Sequence, residues 1–134
     1  MSVKTISRLF VIAGLSNVLG VLLLSRGFTN QVMMDTQPEV MGYFGLIAIV
    51  LWGLAYIAVA KSYAAVPWLI AVFAVEKLAY VIVYLQWFTS HSITAVYERD
   101  ALAGVFYSIY GLNDFLFMVF FGWVFISLNK AIIK

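Results

Sequence analysis

The chain has 134 residues, of which 65% are hydrophobic and only 10% are charged, and its mean hydropathy is +1.03. A soluble domain carries roughly 25% charged residues, so this composition excludes a protein whose whole surface faces water. The formal net charge is +2, and cysteine is absent, which excludes disulfides and iron–sulfur clusters. The composition therefore predicts a polytopic membrane protein.

Four apolar stretches follow one another along the chain, and each is close to the roughly 20 helical residues that cross a bilayer. They cover about residues 7–25, 41–60, 66–88 and 101–128. The first is too long for the core of a typical signal peptide, so we expect it to be a retained helix. The tight connection "KSYAA" predicts that the second and third helices form an antiparallel hairpin. The sequence thus predicts an all-α fold, in which residues 1–134 form a single domain built as an antiparallel bundle of four transmembrane helices.

Orientation in the membrane is predicted by the lysines and arginines near the ends of the spans, because cytoplasmic loops carry an excess of them. One side of the bundle would carry basic residues and no acid: Lys4, Arg8, Lys61, Lys130 and Lys134. The other side would carry a mixture of arginines and acids: Arg26, Arg99, Asp35, Glu39, Glu98 and Asp100. This bias predicts a multi-pass protein of the cell inner membrane with both termini in the cytoplasm. The net charge then reflects topology and gives no reason to expect a nucleic-acid partner.

Each predicted span has one aromatic, polar or small face and one aliphatic face. At 100° per residue, an arc of about 100° on the third span holds aromatic and charged side chains: Phe73, Glu76, Lys77, Tyr80, Tyr84 and Trp87. On the fourth span, Asp114 shares a stripe with Tyr107 and Tyr110. Ionisable residues within a span almost always face the bundle interior, so we expect these faces to turn inward and the aliphatic faces to contact lipid.

The polar side chains also fall at similar depths. Lys77 is about 11 residues, or roughly 16 Å at 1.5 Å per residue, from either end of its span, which is too far for its ammonium group to reach the interface. Asp114, Asn17 and Trp52 lie near the centres of their spans, whereas Asn113 points about 100° away from Asp114 and is expected to face a helix contact. We therefore expect a midplane layer that binds a ligand through the following residues: Asn17, Trp52, Tyr56, Glu76, Lys77, Tyr80, Tyr110 and Asp114.

Three ionisable groups at the centre of a membrane protein need an explanation. Each costs roughly 2.5–3.5 kcal/mol on insertion scales, so three unpaired groups would cost on the order of 8–10 kcal/mol. Pairing Lys77 with one carboxylate leaves one acid over, which must be protonated or must meet a cation or a hydrogen-bond donor. Two further arrangements stay open. In the first, the ion pair only holds the third helix to the fourth, and Glu76 is hydrogen-bonded to a tyrosine. In the second, one of the charges pairs with another subunit.

These observations favour a pocket at the bilayer midplane that binds, and in one version transports, an amphipathic or cationic small molecule. One alternative is an accessory subunit that scaffolds a larger membrane complex, or a homo-oligomer, and another is a proton or cation path with Glu76 as the carrier. The sequence contains no Ser–His–Asp constellation at one depth, no phosphate-binding glycine loop and no metal-ligand spacing. We therefore expect a binding protein of the lipid bilayer rather than an enzyme, with no cofactor and no metal.

The four-span layout over the whole chain resembles that of DoxX-like inner-membrane proteins of bacteria. The resemblance is one of length and span number with no specific motif, so it implies a small multi-pass inner-membrane protein and assigns no functional residue. The small multidrug transporters have a similar size, but they carry an essential glutamate in the first span, where this chain has Asn17. That difference disfavours assigning the chain to the small multidrug transporters.

Overall fold

The fold is known from a computed structural model that describes residues 1–133, with side chains through Lys130. Lys134, which entered the predicted charge bias, lies outside the described residues. The described chain forms seven α-helices and no strand: α1 (Val3–Leu24), α2 (Gln31–Thr36), α3 (Pro38–Met41), α4 (Tyr43–Val59), α5 (Pro67–Phe88), α6 (Ile93–Arg99) and α7 (Ala101–Ile133). A 3₁₀ turn, Tyr63–Ala65, joins α4 to α5. The prediction of an all-α fold is confirmed.

Short polar residues and prolines set the starts of several helices. The side chain of Ser2 accepts a hydrogen bond from the Thr5 amide at 3.1 Å, which satisfies one of the free N–H groups at the start of α1. Ser92 does the same for α6, with the amide of Ala95 at 3.3 Å. α5 begins at Pro67, whose fixed φ suits the first helical turn. These helix starts are therefore encoded locally, by residues at the edges of the helices.

Among the described residues, three helices are long and apolar enough to cross a membrane, namely α1, α5 and α7. Their outer faces expose aliphatic side chains, such as Leu19 (47% exposed), Val75 (64%) and Leu116 (57%). Extensive exposed apolar surface on helices that turn their polar side chains inward is typical of contact with lipid. The fold is therefore that of a helical membrane protein.

The second apolar helix is shorter than predicted. We expected a span over about residues 41–60, whereas α4 has 17 residues, Tyr43–Val59. The reason lies at Gly42, whose extended backbone (φ −65°, ψ 177°) separates α4 from the one-turn helix α3 that starts at Pro38. At 1.5 Å per residue α4 is about 26 Å long, which is less than the roughly 30 Å of a bilayer core. The described chain thus has three helices of spanning length and one shorter apolar helix.

The long helices pack as two pairs, α1 with α4 and α5 with α7. Gly14 and Gly53 face each other where α1 crosses α4, so closely that a Cβ on either glycine would overlap the backbone oxygen of the other. In the second pair, the ring of Tyr84 lies over Gly111. The short turn joins α4 to α5 as expected, but α4 packs mainly against α1 and α5 packs mainly against α7.

Aromatic side chains fill the end of the bundle where the chain begins. Phe10 of α1 stacks on Tyr63 and also contacts Phe121 of α7, with 5.3 Å between ring centroids in both cases. Phe73 and Tyr56 are fully buried in the same group of residues, which we call the inner cluster. Because Phe10 lies near the start of α1 and Tyr63 lies in the turn before α5, α1 and α5 begin at the same end of the bundle.

The opposite end is covered by the short helices α2, α3 and α6. Their side chains Met33, Met41 and Val96 are buried against Trp87 and Tyr107, and we call this group the outer cluster. The hydroxyl of Tyr107 donates a hydrogen bond to the backbone oxygen of Met33 at 2.8 Å, which ties α7 to α2. The two longer connections, whose length in the sequence is compatible with a cap over the bundle, therefore form a packed cap.

An ion pair fastens this cap. Arg26 donates a hydrogen bond to Asp100 Oδ1 at 2.7 Å, while Asn30 Nδ2 and the Ala103 amide donate to Asp100 Oδ2 at 2.7 and 2.9 Å. The hydrogen bond from Arg26, followed by that from Ala103, lowers the pKa of Asp100 from its ordinary value of 3.8 to about 2. Asp100 thus joins the turn after α1 to the start of α7.

We expect the cap to loosen in acid. Because the pKa of Asp100 is lower in the folded protein than in the unfolded chain, its ionised carboxylate stabilises the cap above about pH 4. That contribution is lost as the pH falls through the folded pKa of about 2. Hydrogen exchange should therefore show that the Ala103 amide loses protection over this range in the wild type. Asp100→Asn should remove the pH dependence and Asp35→Asn, at an exposed acid of α2, should keep it; an unchanged pH dependence in Asp100→Asn would contradict the assignment.

Candidate functional site

Lys77 lies in the middle of α5, and its ammonium group is the centre of a buried polar network. It donates hydrogen bonds to Asp114 Oδ1 on α7 at 2.7 Å and to Asn17 Oδ1 on α1 at 3.0 Å. Lys77 is 1% exposed and Asp114 is 7% exposed, so solvent screens this ion pair very little. The carboxylate that pairs with Lys77 is therefore Asp114, a choice that the sequence had left open.

The same network reaches α4. Asn17 Nδ2 donates a hydrogen bond to the backbone oxygen of Ile49 at 3.1 Å. One chain of hydrogen bonds therefore joins α4, α1, α5 and α7 through Ile49, Asn17, Lys77 and Asp114. Because the amide of Asn17 both donates and accepts, its burial at the centre of an apolar helix leaves neither end of the amide without a partner.

Glu76 has a different partner. Tyr56 on α4 donates a hydrogen bond to Glu76 Oε2. Glu76 Oε1 is buried and has no hydrogen-bond partner among the described residues. The Lys77 ammonium lies 5.3 Å from the centroid of the Tyr56 ring, within the range of a cation–π contact. Tyr56 thus contacts both charged residues of α5, and Glu76 is left incompletely hydrogen-bonded.

A cavity of about 280 Å³ lies beside this network. Its charged wall consists of Glu76, Lys77 and Asp114, while apolar and aromatic side chains form most of the remainder. The residues that line the cavity come from five helices: Ser16, Asn17, Gly20, Val21, Leu24, Met41, Ile49, Glu76, Lys77, Tyr80, Phe106, Ile109, Tyr110, Asn113 and Asp114. An apolar cavity with a few convergent polar groups is the usual form of a small-molecule site.

Most of the residues predicted for the midplane layer line this cavity: Asn17, Glu76, Lys77, Tyr80, Tyr110 and Asp114. Trp52 and Tyr56 are not among the residues that line it. The ring of Trp52 packs against Phe73 at 6.0 Å between centroids, and Tyr56 belongs to the inner cluster below Glu76. Helical periodicity indicates which face of a helix turns inward, but it does not separate the wall of a cavity from the packed layer beside it.

Nine lining residues were not predicted as ligand contacts, among them the small Gly20 and the polar Ser16 and Asn113. Asn113 was expected to face a helix contact, but it lies at the cavity. A signal for two of them was present in the sequence, because Ser16 precedes Asn17 and Asn113 precedes Asp114. Two adjacent polar residues widen the polar face of a helix by about 100°, which brings a second residue to the same space.

Tyr110 is held at the cavity by the cap. Its hydroxyl donates a hydrogen bond to Gln37 Oε1 at 2.6 Å, and Gln37 Nε2 donates to the backbone oxygen of Val83 at 3.0 Å. Gln37, in the connection between α2 and α3, is 3% exposed. The outer cap therefore fixes one aromatic wall of the cavity, a link that the sequence did not reveal.

The polar groups of the site are held in place by one another, which suits recognition of a ligand. Lys77 donates to Asp114 and Asn17, and Glu76 accepts from Tyr56. Within the described part of the chain, no group of three or more His, Cys, Asp or Glu side chains is arranged to hold a metal ion. The chemistry on offer is therefore charge and hydrogen bonding, provided by two carboxyl groups and one ammonium group in an apolar setting.

The fold and this buried layer define a class: a small helical membrane protein that encloses charged residues among its longest helices. In comparisons with known proteins, no family model, curated protein or solved structure matches the chain. Its function must therefore be inferred from its own residues and their geometry.

Proposed function

We propose that this protein binds a cationic amphipathic molecule, an amine that carries a hydrocarbon chain, inside a four-span bundle in the cell inner membrane. The observation that carries the proposal is the cavity of about 280 Å³ with two acids and one lysine in its wall. A cavity among the spanning helices, lined mostly by apolar side chains, suits the hydrocarbon part of such a ligand. Its charged wall suits the head group.

The charge balance of the wall favours a cation. Lys77 neutralises Asp114, to which it donates a hydrogen bond at 2.7 Å. Glu76 is then left over, with one carboxyl oxygen that has no partner among the described residues. A protonated amine provides a positive charge and several N–H donors, which match this remaining acid. When no amine is bound, a proton on Glu76 likewise brings the summed charge of Glu76, Lys77 and Asp114 to zero.

The four crossings are proposed because of where the helices begin. α1 and α5 both start at the end that holds the inner cluster, so the chain must return across the bundle through α4. α4 carries no charged residue, and local thinning of the bilayer accommodates its 17 residues at modest cost. The basic residues Lys4, Arg8 and Lys61 then favour cytoplasmic termini. A relation to DoxX-like proteins stays a prediction from this layout.

The proposal predicts that probes with the same chain and different head groups bind differently. In lipid nanodiscs, dodecylamine with a photoreactive diazirine on its chain should label the protein saturably, while the matched alcohol and carboxylate should label it roughly tenfold less or weaker still. Asp114→Asn and Glu76→Gln should each weaken amine binding about tenfold to a hundredfold. The reason is that a hydrogen bond to a charged group contributes about 1.5–3 kcal/mol. Competition with unlabelled dodecylamine measures the affinity.

The matched control for these variants is Asp35→Asn, since Asp35 is an exposed acid on α2 that does not line the cavity. It should bind the amine as the wild type does. Equal labelling by the three probes would contradict an amine site. So would unchanged binding in Asp114→Asn and Glu76→Gln when both variants fold normally.

A second candidate function is that of an accessory subunit, in which the buried charges only hold the helices together. The observation that favours it is the connectedness of the network, since Asn17 and Lys77 bond to each other and link all four long helices. It predicts that Asp114→Asn lowers thermal stability and the yield of an assembled complex, with no saturable labelling by dodecylamine even in the wild type. Purification in mild detergent, with a partner at fixed stoichiometry, would support it.

A proton or cation path with Glu76 as the carrier is a third candidate, and the packing of the bundle favours it least. Side chains of the inner and outer clusters fill both ends of the described bundle. A continuous path would need water to pass both clusters. Flux in proteoliposomes that Glu76→Gln abolishes would favour this path over the binding site.

A further inference from the structure

The cavity lies at the small end of the range for ligand sites. Pockets that enclose drug-sized ligands measure about 300–1,000 Å³, and this cavity measures about 280 Å³. An amphiphile whose hydrocarbon chain is longer than the cavity therefore needs an opening through which the chain leaves.

Neither end of the bundle provides that opening. Towards the outer end, Met41 and Phe106 line the cavity and also belong to the outer cluster, where they are 1% and 5% exposed. Towards the inner end, the ring of Tyr56 lies 5.3 Å from the Lys77 ammonium, and Tyr56 and Phe73 are fully buried. A chain that left along the bundle axis would have to displace these side chains.

The side of the bundle between α1 and α7 is different. α1 packs along α4 and α7 packs along α5, whereas α1 and α7 contact each other over a much shorter length, as do α4 and α5, so the exposure of the lining residues decides which side is open. Ile109 of α7 lines the cavity and is nevertheless 49% exposed. Gly20 of α1 also lines the cavity, and a Cβ added to it would meet no described atom within 4 Å. Residues that line a cavity and also reach the outer surface mark its mouth.

The polar residue on the α1 side of this mouth is compatible with lipid. The hydroxyl of Ser16 donates a hydrogen bond to the backbone oxygen of Ile12 at 2.8 Å, so it does not need water. Ile12, one turn before Ser16 on α1, and Ile109 on α7 are exposed aliphatic side chains of the kind that contact hydrocarbon. The mouth therefore opens at a level where the surrounding surface is apolar.

We propose that the cavity opens sideways between α1 and α7, and that a single-chain amphiphilic amine enters there from the lipid phase. Its head group lies against Lys77, Asp114 and Glu76, and its chain passes Gly20 and Ile109 into the bilayer. A single chain is the simplest ligand for a mouth at which one glycine leaves open space. This inference rests on the proposed function and adds the route of entry and the shape of the ligand.

The mouth can be blocked without disturbing the packing. Gly20→Phe places a ring in the space beside Gly20, and Gly122→Phe is its matched control. A Cβ at Gly122 likewise meets no described atom within 4 Å, and Gly122 does not line the cavity. With the diazirine-bearing dodecylamine in nanodiscs, we expect Gly20→Phe to reduce saturable labelling about tenfold and Gly122→Phe to leave it unchanged. Equal labelling of the two folded variants would overturn the opening.

A second measurement uses the wild-type protein, so it does not depend on the folding of any variant. A diazirine at the far end of the dodecylamine chain should form adducts on α1 and α7, as mapped by peptide mass spectrometry. Saturable adducts confined to α4 or α5 would overturn the opening and leave the amine site standing. A complete lack of saturable labelling would overturn the amine site, and the opening with it.

Discussion

Replacing Lys77 with methionine is expected to destabilise the folded protein by about 3–5 kcal/mol, the range found when one partner of a buried ion pair is removed. Methionine keeps much of the apolar stem of the lysine, so the change removes mainly the charge. Asp114 would stay buried at 7% exposed and lose the donor that lies 2.7 Å away. Asn17 would lose the donor at 3.0 Å. Unfolding by heat or by SDS in mixed micelles measures the change.

Two further variants make this result specific to the ion pair. Lys61→Met removes an exposed lysine in the turn after α4, and surface changes of this kind stay within about 0.5 kcal/mol. The double variant Lys77→Met/Asp114→Leu should recover most of the lost stability, because an apolar pair often replaces a buried ion pair without loss. If Lys77→Met unfolds at the same point as the wild type, Lys77 does not hold the bundle together.

The double variant also provides a background that separates the two leading candidate functions. Its bundle would be stable and would lack the charges of Lys77 and Asp114, but it would keep Glu76. Adding Glu76→Gln removes this remaining acid, and a protein that binds an amine there should then lose saturable labelling by dodecylamine while remaining folded. An accessory subunit should keep its partner, since its contacts with the partner lie elsewhere. Stability and recognition, which the single variants change together, are thereby measured apart.

The buried charges could be predicted from the sequence because an ionisable side chain near the middle of a membrane-spanning helix almost always faces the interior of the bundle. The depth of Lys77 follows from the helical rise and the thickness of the bilayer alone. Its direction follows from the aromatic residues that share its face, such as Tyr80. The same reasoning applied to Asp114 predicted that the two residues would lie at one depth. The distance of 2.7 Å between Lys77 Nζ and Asp114 Oδ1 agrees with that expectation.

The neighbours of each helix could not be predicted in this way. The short turn after α4 suggested that α4 and α5 pair, but a turn fixes only the ends of two helices. The close approach of Gly14 to Gly53 brings α1 against α4, and this match joins positions far apart in the chain. The helices of the cap could not be predicted from the sequence either, because α2, α3 and α6 have only six, four and seven residues. Helices so short depend on tertiary packing for their stability.

The cavity was the least predictable feature, since it depends on where side chains are missing. Gly20 looks in the sequence like any other small residue on the inward face of α1. Gly14, on the same helix, closes a gap by admitting the backbone of α4, whereas Gly20 leaves one open. Only the positions of the surrounding atoms distinguish these two uses of glycine.

A single methyl group at Gly53 is expected to destabilise the bundle by about 1–3 kcal/mol, the usual cost of overpacking a core. This loss should appear although alanine is favoured over glycine within a helix by up to about 1 kcal/mol. The Cβ of Gly53→Ala would lie 2.7 Å from the backbone oxygen of Gly14 and 2.8 Å from Asn17 Cβ. A backbone oxygen cannot rotate away as the end of a flexible side chain does, so α1 itself would have to move.

Gly122→Ala makes the same chemical change where no described atom lies within 4 Å of the new Cβ. It should therefore be neutral or stabilise by up to about 1 kcal/mol, so the two variants should differ in sign. Because Asn17 shares the crossing with Gly53, a shift of α1 should also lengthen the hydrogen bond from Lys77 to Asn17, which is 3.0 Å in the wild type. Labelling by dodecylamine should then fall in Gly53→Ala and not in Gly122→Ala. Equal unfolding midpoints for the two variants would show that α1 and α4 have room for a side chain where they cross.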